Sequence, residues 1–264
     1  MLTFFLICLG VGTFAGFLAG LFGIGGGLII VPTLVYLLPM VGVPDHLLMS
    51  TALGTSFATI VITSFSSAQR HYKLGNVVWD AVKILIPTLM LSTFVFTGIV
   101  SQLDKSLSSK LFAVLVAYMA IRMVISTKIQ IKNTKKLTPL SSVIGGVLIG
   151  IVSSIAGIGG GGFIVPFLNS RGVDIKKAIG SSAVCGMLLG LSGALSFMRS
   201  GWGVTEMPEY SLGYVYLPAV LGITITSFFT SKIGATTTSK LPVPTLKRYF
   251  AIMLCVIALN MLFK

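Results

Sequence analysis

The sequence predicts an all-α integral membrane protein made of two inverted repeats, each a re-entrant, glycine-broken helical hairpin followed by three transmembrane helices. Three observations lead there: an apolar composition, a glycine motif that recurs in the second half, and a distribution of Lys and Arg that only one topology sorts. Hydrophobic residues fill 55% of the 264 positions and charged residues 9%, with a mean hydropathy of +1.00. A soluble domain carries about 25% charged residues, so water is not the solvent for most of this surface. Residues 2–44, 84–102 and 111–121 contain no charge at all, and about 20 apolar residues suffice for a helix to cross the hydrocarbon.

The repeat is read directly from the glycines. Gly12-Thr13-Phe14-Ala15-Gly16 precedes Gly23-Ile24-Gly25-Gly26-Gly27 and Val31-Pro32; Gly146-Val147-Leu148-Ile149-Gly150 precedes Gly157-Ile158-Gly159-Gly160-Gly161 and Val165-Pro166, at a constant offset. With small gaps, Ser50-Thr51-Ala52 aligns with Ser181-Ser182-Ala183, Tyr72-Lys73-Leu74-Gly75 with Tyr210-Ser211-Leu212-Gly213, and Lys110-Leu111-Phe112-Ala113 with Arg248-Tyr249-Phe250-Ala251. Self-similarity preserved in order marks duplicated architecture. The expected division is a first membrane repeat over 1–126, a basic cytoplasmic linker over 127–139 and a second membrane repeat over 140–264.

In chain order, a hairpin joins residues 3–22 to 28–39 across the first glycine run, and plain helices follow at about 46–67, 77–101 and 108–126. The second half repeats this with 140–157 joined to 162–170, then 177–198, 213–231 and 245–263. Residues 162–170 span about 13 Å at 1.5 Å per residue, too short to cross. The N-terminal apolar run lacks a basic n-region and outlasts a signal sequence. Cys8, Cys185 and Cys255 lie in apolar segments without CxxC spacing, which excludes a disulfide framework and a metal site and leaves them as packing residues.

The formal charge is +13, from 19 Lys and Arg against 6 Asp and Glu. It is scattered through short connections rather than gathered on one polar face, the pattern of anchors beside anionic lipid and not of a nucleic-acid binder. Eight plain crossings divide the Lys and Arg evenly between the two faces. Letting each broken segment return to the face it entered gathers most of them on one face, which the positive-inside rule makes cytoplasmic. That topology inverts one half relative to the other and places both termini outside the cytoplasm.

Broken backbone at membrane depth is tolerated only where protein or a water-filled cavity satisfies it. Each glycine run precedes a helical limb whose first N–H groups lack intrahelical acceptors and carry partial positive charge. Two such apexes meeting from opposite faces form an anion site, the logic of broken helices in inverted-repeat transporters. Gly25, Gly26, Gly27, Gly159, Gly160 and Gly161 are the expected amide donors, with hydroxyls from Thr51, Thr55, Ser181 and Ser182. Gly12, Gly16 and Gly20, spaced by four, fit helix packing instead, as do Gly146 and Gly150. No Lys-Ser/Thr follows either run, which excludes a phosphate-binding P-loop.

All six acids, Asp45, Asp80, Asp104, Asp174, Glu206 and Glu209, fall in connections or at helix ends. An intramembrane enzyme would need a group to activate a nucleophile such as Ser56, and no carboxylate pair is available. His71, near a helix end, reads as an interfacial residue with a second reading as a coupling group, since His titrates near neutrality. No cofactor, metal or ATP-hydrolysing motif is expected.

These residues resemble the TauE/SafE family of sulfite exporters. The resemblance rests on residues 16–27 with Val31-Pro32, on Gly157-Ile158-Gly159-Gly160-Gly161 with Val165-Pro166, on Ala52-Leu53-Gly54-Thr55-Ser56, and on His71 through Gly75-Asn76-Val77 with Trp79. It implies an inner-membrane secondary transporter that exports a small sulfur-containing anion, sulfite or a sulfonate, by alternating access. An anion channel using the same site is the alternative. The expected partners are that anion and membrane lipid, and the sequence leaves homo-oligomerisation open. The alignment sets Cys185-Gly186-Met187 against Gly54-Thr55-Ser56, which makes the two half-sites chemically unequal.

Overall fold

The computed structural model describes residues 2–128 and 138–242, with Ile252. Nine α-helices appear among them: α1 (Leu2–Phe22), α2 (Gly27–Leu37), α3 (Leu48–Lys73), α4 (Trp79–Val100), α5 (Lys105–Lys128), α6 (Pro139–Ala156), α7 (Gly161–Ser170), α8 (Ile175–Ser200) and α9 (Leu217–Lys240). Two 3-10 turns, Leu38–Val41 and Asp45–Leu47, join α2 to α3. A small hairpin of β1 (Ser211–Leu212) and β2 (Val215–Tyr216) precedes α9, whose start is fixed by Pro218 in its first turn. The expected last helix, 245–263, and most of the linker lie outside the described residues.

Six helices are long and apolar enough to span a bilayer: α1, α3 with the turn before it, α4, α6, α8 and α9. The chain is therefore an all-α, multi-pass membrane protein. The first limbs of the broken segments are longer than a shallow hairpin requires, with 21 residues in α1 and 18 in α6. Their return limbs, α2 and α7, have only 11 and 10. α5 has 24 residues but is not among the six.

Side-chain distribution follows from lipid as the outer solvent. Leu91, Val95 and Ile99 on α4, and Leu221, Ile225, Phe229 and Ile233 on α9, form exposed stripes at four-residue spacing. The inward face of α9 is mostly small or hydroxylated, because close helix approach in a membrane relies on van der Waals packing and interhelical hydrogen bonds. Gly12, Gly16 and Gly20 bring α1 against the α9 backbone at Ile223, Ser227 and Ser231. Gly146 and Gly150 do the same for α6 against Thr88 and Ser92 of α4. These glycines pack helices, as their spacing suggests.

The paired positions also fix helix directions. Successive contacts from Gly12 to Ile223 and from Gly20 to Ser231 make α1 parallel to α9. Thr63 bonds Ser227 and Arg70 bonds Thr236, so α3 runs the same way. Gly186 lies at Ser64 and Gly193 at Phe57, so α8 opposes α3. Ser192 and Ser196 donate to the carbonyls of Met90 and Phe94 at 2.6 and 2.7 Å, which aligns α4 with α8. α6 follows α4. Thus α1, α3 and α9 run one way and α4, α6 and α8 the other, with α3 and α8 buried at the centre.

Candidate functional site

The site begins where α1 and α6 break. Gly23 N–H still donates to Ala19 O at 2.8 Å, and the ladder resumes only with Ile29 and Ile30 donating to Gly26 O. Between them the amides of Ile24, Gly25, Gly26, Gly27 and Leu28 have no backbone acceptor among the described residues. In the second break Gly160 N–H turns back to Ile158 O at 2.7 Å, and Phe163 and Ile164 restart the ladder on Gly160 O. The amides of Gly157, Ile158, Gly159, Gly161 and Gly162 likewise have none. Gly26 and Gly160 cap α2 and α7 at φ of 87° and 72°, with no side-chain cap. That left-handed conformation costs an ordinary residue about 1–2 kcal/mol, so glycine there permits two uncapped helix N-termini.

The two breaks meet. A methyl placed on Gly27 would strike the Gly157 carbonyl, one on Gly159 would lie 3.2 Å from Ile24 O, and one on Gly161 would strike the Gly23 carbonyl. Gly23, Ile24 and Gly27 therefore oppose Gly161, Gly159 and Gly157, so the strands cross antiparallel. Ser56 Oγ donates to Gly157 O at 2.9 Å and Ser182 Oγ to Gly23 O at 3.1 Å, one clamp from each central helix. Ile60 touches both breaks, its Cγ2 lying 2.9 Å from a methyl built on either Gly25 or Gly159. Every residue from 23 to 28 and from 156 to 162 is buried.

All six predicted glycines come together here, and Ser182 joins them. Thr55 and Ser181 lie beside the site with their hydroxyls engaged: Thr55 Oγ1 accepts from Tyr216 N–H at 3.0 Å and Ser181 Oγ from Val78 N–H at 2.9 Å. Thr51 donates instead to Met207 Sδ at 3.6 Å and makes no bond to either break. His71, near the end of α3, is fully buried within the protein, its ring turned inward to bond Gly20 O through Nε2 at 3.2 Å. Sequence reasoning missed Ser64, whose Oγ lies 3.1 Å from a methyl built on Gly25. The available signal was the spacing of Ser56, Ile60 and Ser64, which places them on one helix face.

The hydrogen bonds also correct the sequence alignment. Val78 and Tyr216 are the residues that cap α4 and α9, and they bond Ser181 and Thr55 respectively. Gly54 abuts the Tyr214 carbonyl as Gly180 abuts that of Asn76. Gly54-Thr55-Ser56 thus corresponds to Gly180-Ser181-Ser182, five residues from the register that paired Ser50-Thr51-Ala52 with Ser181-Ser182-Ala183. The two triplets are chemically alike. The expected inequality based on Cys185-Gly186-Met187 came from that slip, since sequence matching had no helix partners to hold the register.

Among the described residues, none of the nearest neighbours of the break glycines is Lys, Arg, Asp or Glu. The electrostatic offering is amide hydrogens, hydroxyls and two helix N-termini worth roughly half a positive charge each. That arrangement suits an anion and supplies no acid, base or nucleophile pair.

The model of the sulfite exporter TauE/SafE family matches residues 8–261. A probable membrane transporter protein of Haemophilus influenzae is 69% identical over the full length of both chains. A probable membrane transporter protein of Methanocaldococcus jannaschii is 33% identical over 96% of this chain and 93% of its own. One from Bacillus subtilis is 26% identical over 88% and 89%. No solved structure matches the chain. A polytopic helical architecture, a full-length relative named as a membrane transporter, and a family match across nearly the whole length lead to one assignment: this chain belongs to the sulfite exporter TauE/SafE family and is a membrane transporter rather than an enzyme.

Proposed function

We propose that the protein is a secondary transporter that exports a small sulfur-containing oxyanion, sulfite or a sulfonate, by alternating access across the inner membrane. The observation that carries this reading is the antiparallel contact of two uncapped glycine breaks at the centre of the helices. The family name, sulfite exporter, supports the choice of anion. Gly25, Gly26, Gly27, Gly159, Gly160 and Gly161 bind the substrate, and Ser182 holds one break against α8. Complete burial of the breaks favours a carrier caught closed to both sides over an open channel.

The two halves act as inverted repeats. Supporting this, α1, α3 and α4 run opposite to their counterparts α6, α8 and α9. Among the described residues Arg70, Lys73, Lys83, Arg171, Lys176, Lys177 and Lys240 fall at the end where α3 and α9 finish and α8 begins, against Lys105, Lys110 and Arg199 at the other. The positive-inside rule makes the first end cytoplasmic and the N-terminus external. His71 is the coupling candidate, since its Nδ1 has no partner and its Nε2 bonds α1 directly before the break.

Accelerated exchange of labelled sulfite in proteoliposomes preloaded with unlabelled sulfite tests the carrier. Gly26→Leu and Gly160→Leu should each abolish that exchange while the protein still inserts. Unchanged exchange in both would refute the site, and flux without counterflow would indicate a channel.

A further inference from the structure

We propose that Ser64 is a substrate-binding residue and that the site it completes selects monoanions over dianions. This rests on reading the glycine breaks as the binding site. Ser64 is 1% exposed, and its Oγ has no hydrogen-bond partner. It lies 3.1 Å from a methyl built on Gly25 and 3.3 Å from one built on Gly186, so the hydroxyl is aimed into the first break from α3. A buried hydroxyl without a partner is disfavoured unless something else uses it. The neighbouring helix offers the complementary feature, because α2 is 11 residues long and begins at Gly27 with its first amides unpaired. The hydroxyl beside Gly25 and the unpaired amides that open α2 two residues further on are together a donor set that an oxyanion satisfies.

The donors are all neutral. On α3, α8 and α9 Arg70, Lys73, Lys176, Lys177, Arg199 and Lys240 lie at helix ends, and Lys232, further inside α9, stands over the Phe228 ring. The other titratable groups on the elements around Ser64 are Cys8 on α1, Tyr36 on α2, His71 and Tyr72 on α3 and Cys185 on α8, with Tyr36 and Tyr72 exposed. Cys8 and Cys185 are buried and free, and His71 is occupied with Gly20 O. The cost of withdrawing an ion from water grows with the square of its charge, so a dianion loses about four times as much as a monoanion of equal size. Amide and hydroxyl dipoles gain only in proportion to the charge they face. A cation-free site therefore favours a single negative charge. A sulfonate or hydrogen sulfite fits, and sulfate does not.

Methanesulfonate and sulfate are tetrahedral probes of similar size that differ in charge, which isolates this effect. Binding of each to the purified full chain in nanodiscs should show methanesulfonate at least about ten-fold tighter. Ser64→Ala should weaken methanesulfonate binding by about ten-fold or more without lowering the melting temperature, because it removes a polar group that bonds nothing in the protein. Sulfate binding as tight as methanesulfonate overturns the charge selection. Wild-type affinity in Ser64→Ala, or a lowered melting temperature, overturns the role of the hydroxyl. Absence of saturable binding by both anions overturns the whole inference. Failure of these binding results while Gly26→Leu and Gly160→Leu still abolish sulfite exchange would reject Ser64 and charge selection alone. Retained exchange in both glycine variants would reject the site itself.

Discussion

A single methyl group at Gly27 or Gly161 tests whether the two breaks touch. In Gly27→Ala the new carbon would collide with the Gly157 carbonyl and lie 3.0 Å from Ile158 Cα. In Gly161→Ala it would collide with the Gly23 carbonyl and lie 2.6 Å from Ile24 Cα. The obstacles are backbone atoms, so no rotamer change relieves them, and the strands must separate. Forcing extra carbon into packed interior costs about 1–3 kcal/mol, or roughly 2–12 °C at about 2–4 °C per kcal/mol for a chain of this size. Neither glycine is among the positive-φ residues, so the loss reports packing and not backbone strain. Gly10→Ala is the control: nothing lies within 4 Å of its added methyl, and Ala gains about 1 kcal/mol over Gly inside a helix. Thermal melting of the three variants in detergent, followed by sulfite exchange in proteoliposomes, reads the difference. Gly27→Ala and Gly161→Ala should fall together and lose exchange while Gly10→Ala holds or rises. If both site variants melt and exchange like Gly10→Ala, the breaks are not in contact and the central-site reasoning fails.

Two further outcomes are expected. Ser56→Ala and Ser182→Ala each leave a buried carbonyl on the opposing break without its hydroxyl donor, a loss of about 1–3 kcal/mol. Similar destabilisation by both would match their equivalent positions, whereas a large loss in one alone would break the correspondence of the two triplets. Single cysteines introduced at Lys73 and Glu206, in a background lacking the native cysteines, should be labelled by an impermeant maleimide from opposite sides of intact cells, with Glu206 outside. Labelling of both from one side would reject the helix directions.

Much of this protein was legible before any coordinates. Lipid as solvent dictates composition, so spanning helices follow from uncharged runs alone, and Gly12, Gly16 and Gly20 announced a packed face by their spacing. The duplicated glycine runs also located both breaks, because few sequences other than glycine leave a helix and restart it without a cap. Relations between distant segments were not legible. The pairing of Ser181 with Val78 and of Thr55 with Tyr216 set the register of α3 against α8, and sequence matching slipped there by five residues because Ser, Thr and Ala recur throughout both helices. The place of His71 near a helix end was legible, but its burial against the Gly20 carbonyl of α1 was not. Ser64 shares a helix face with Ser56 and Ile60 by spacing, but only the fold sets its hydroxyl against Gly25 with no other partner among the described residues. The local chain fixes where backbone bonds must break, and tertiary packing alone decides which groups then face the gap.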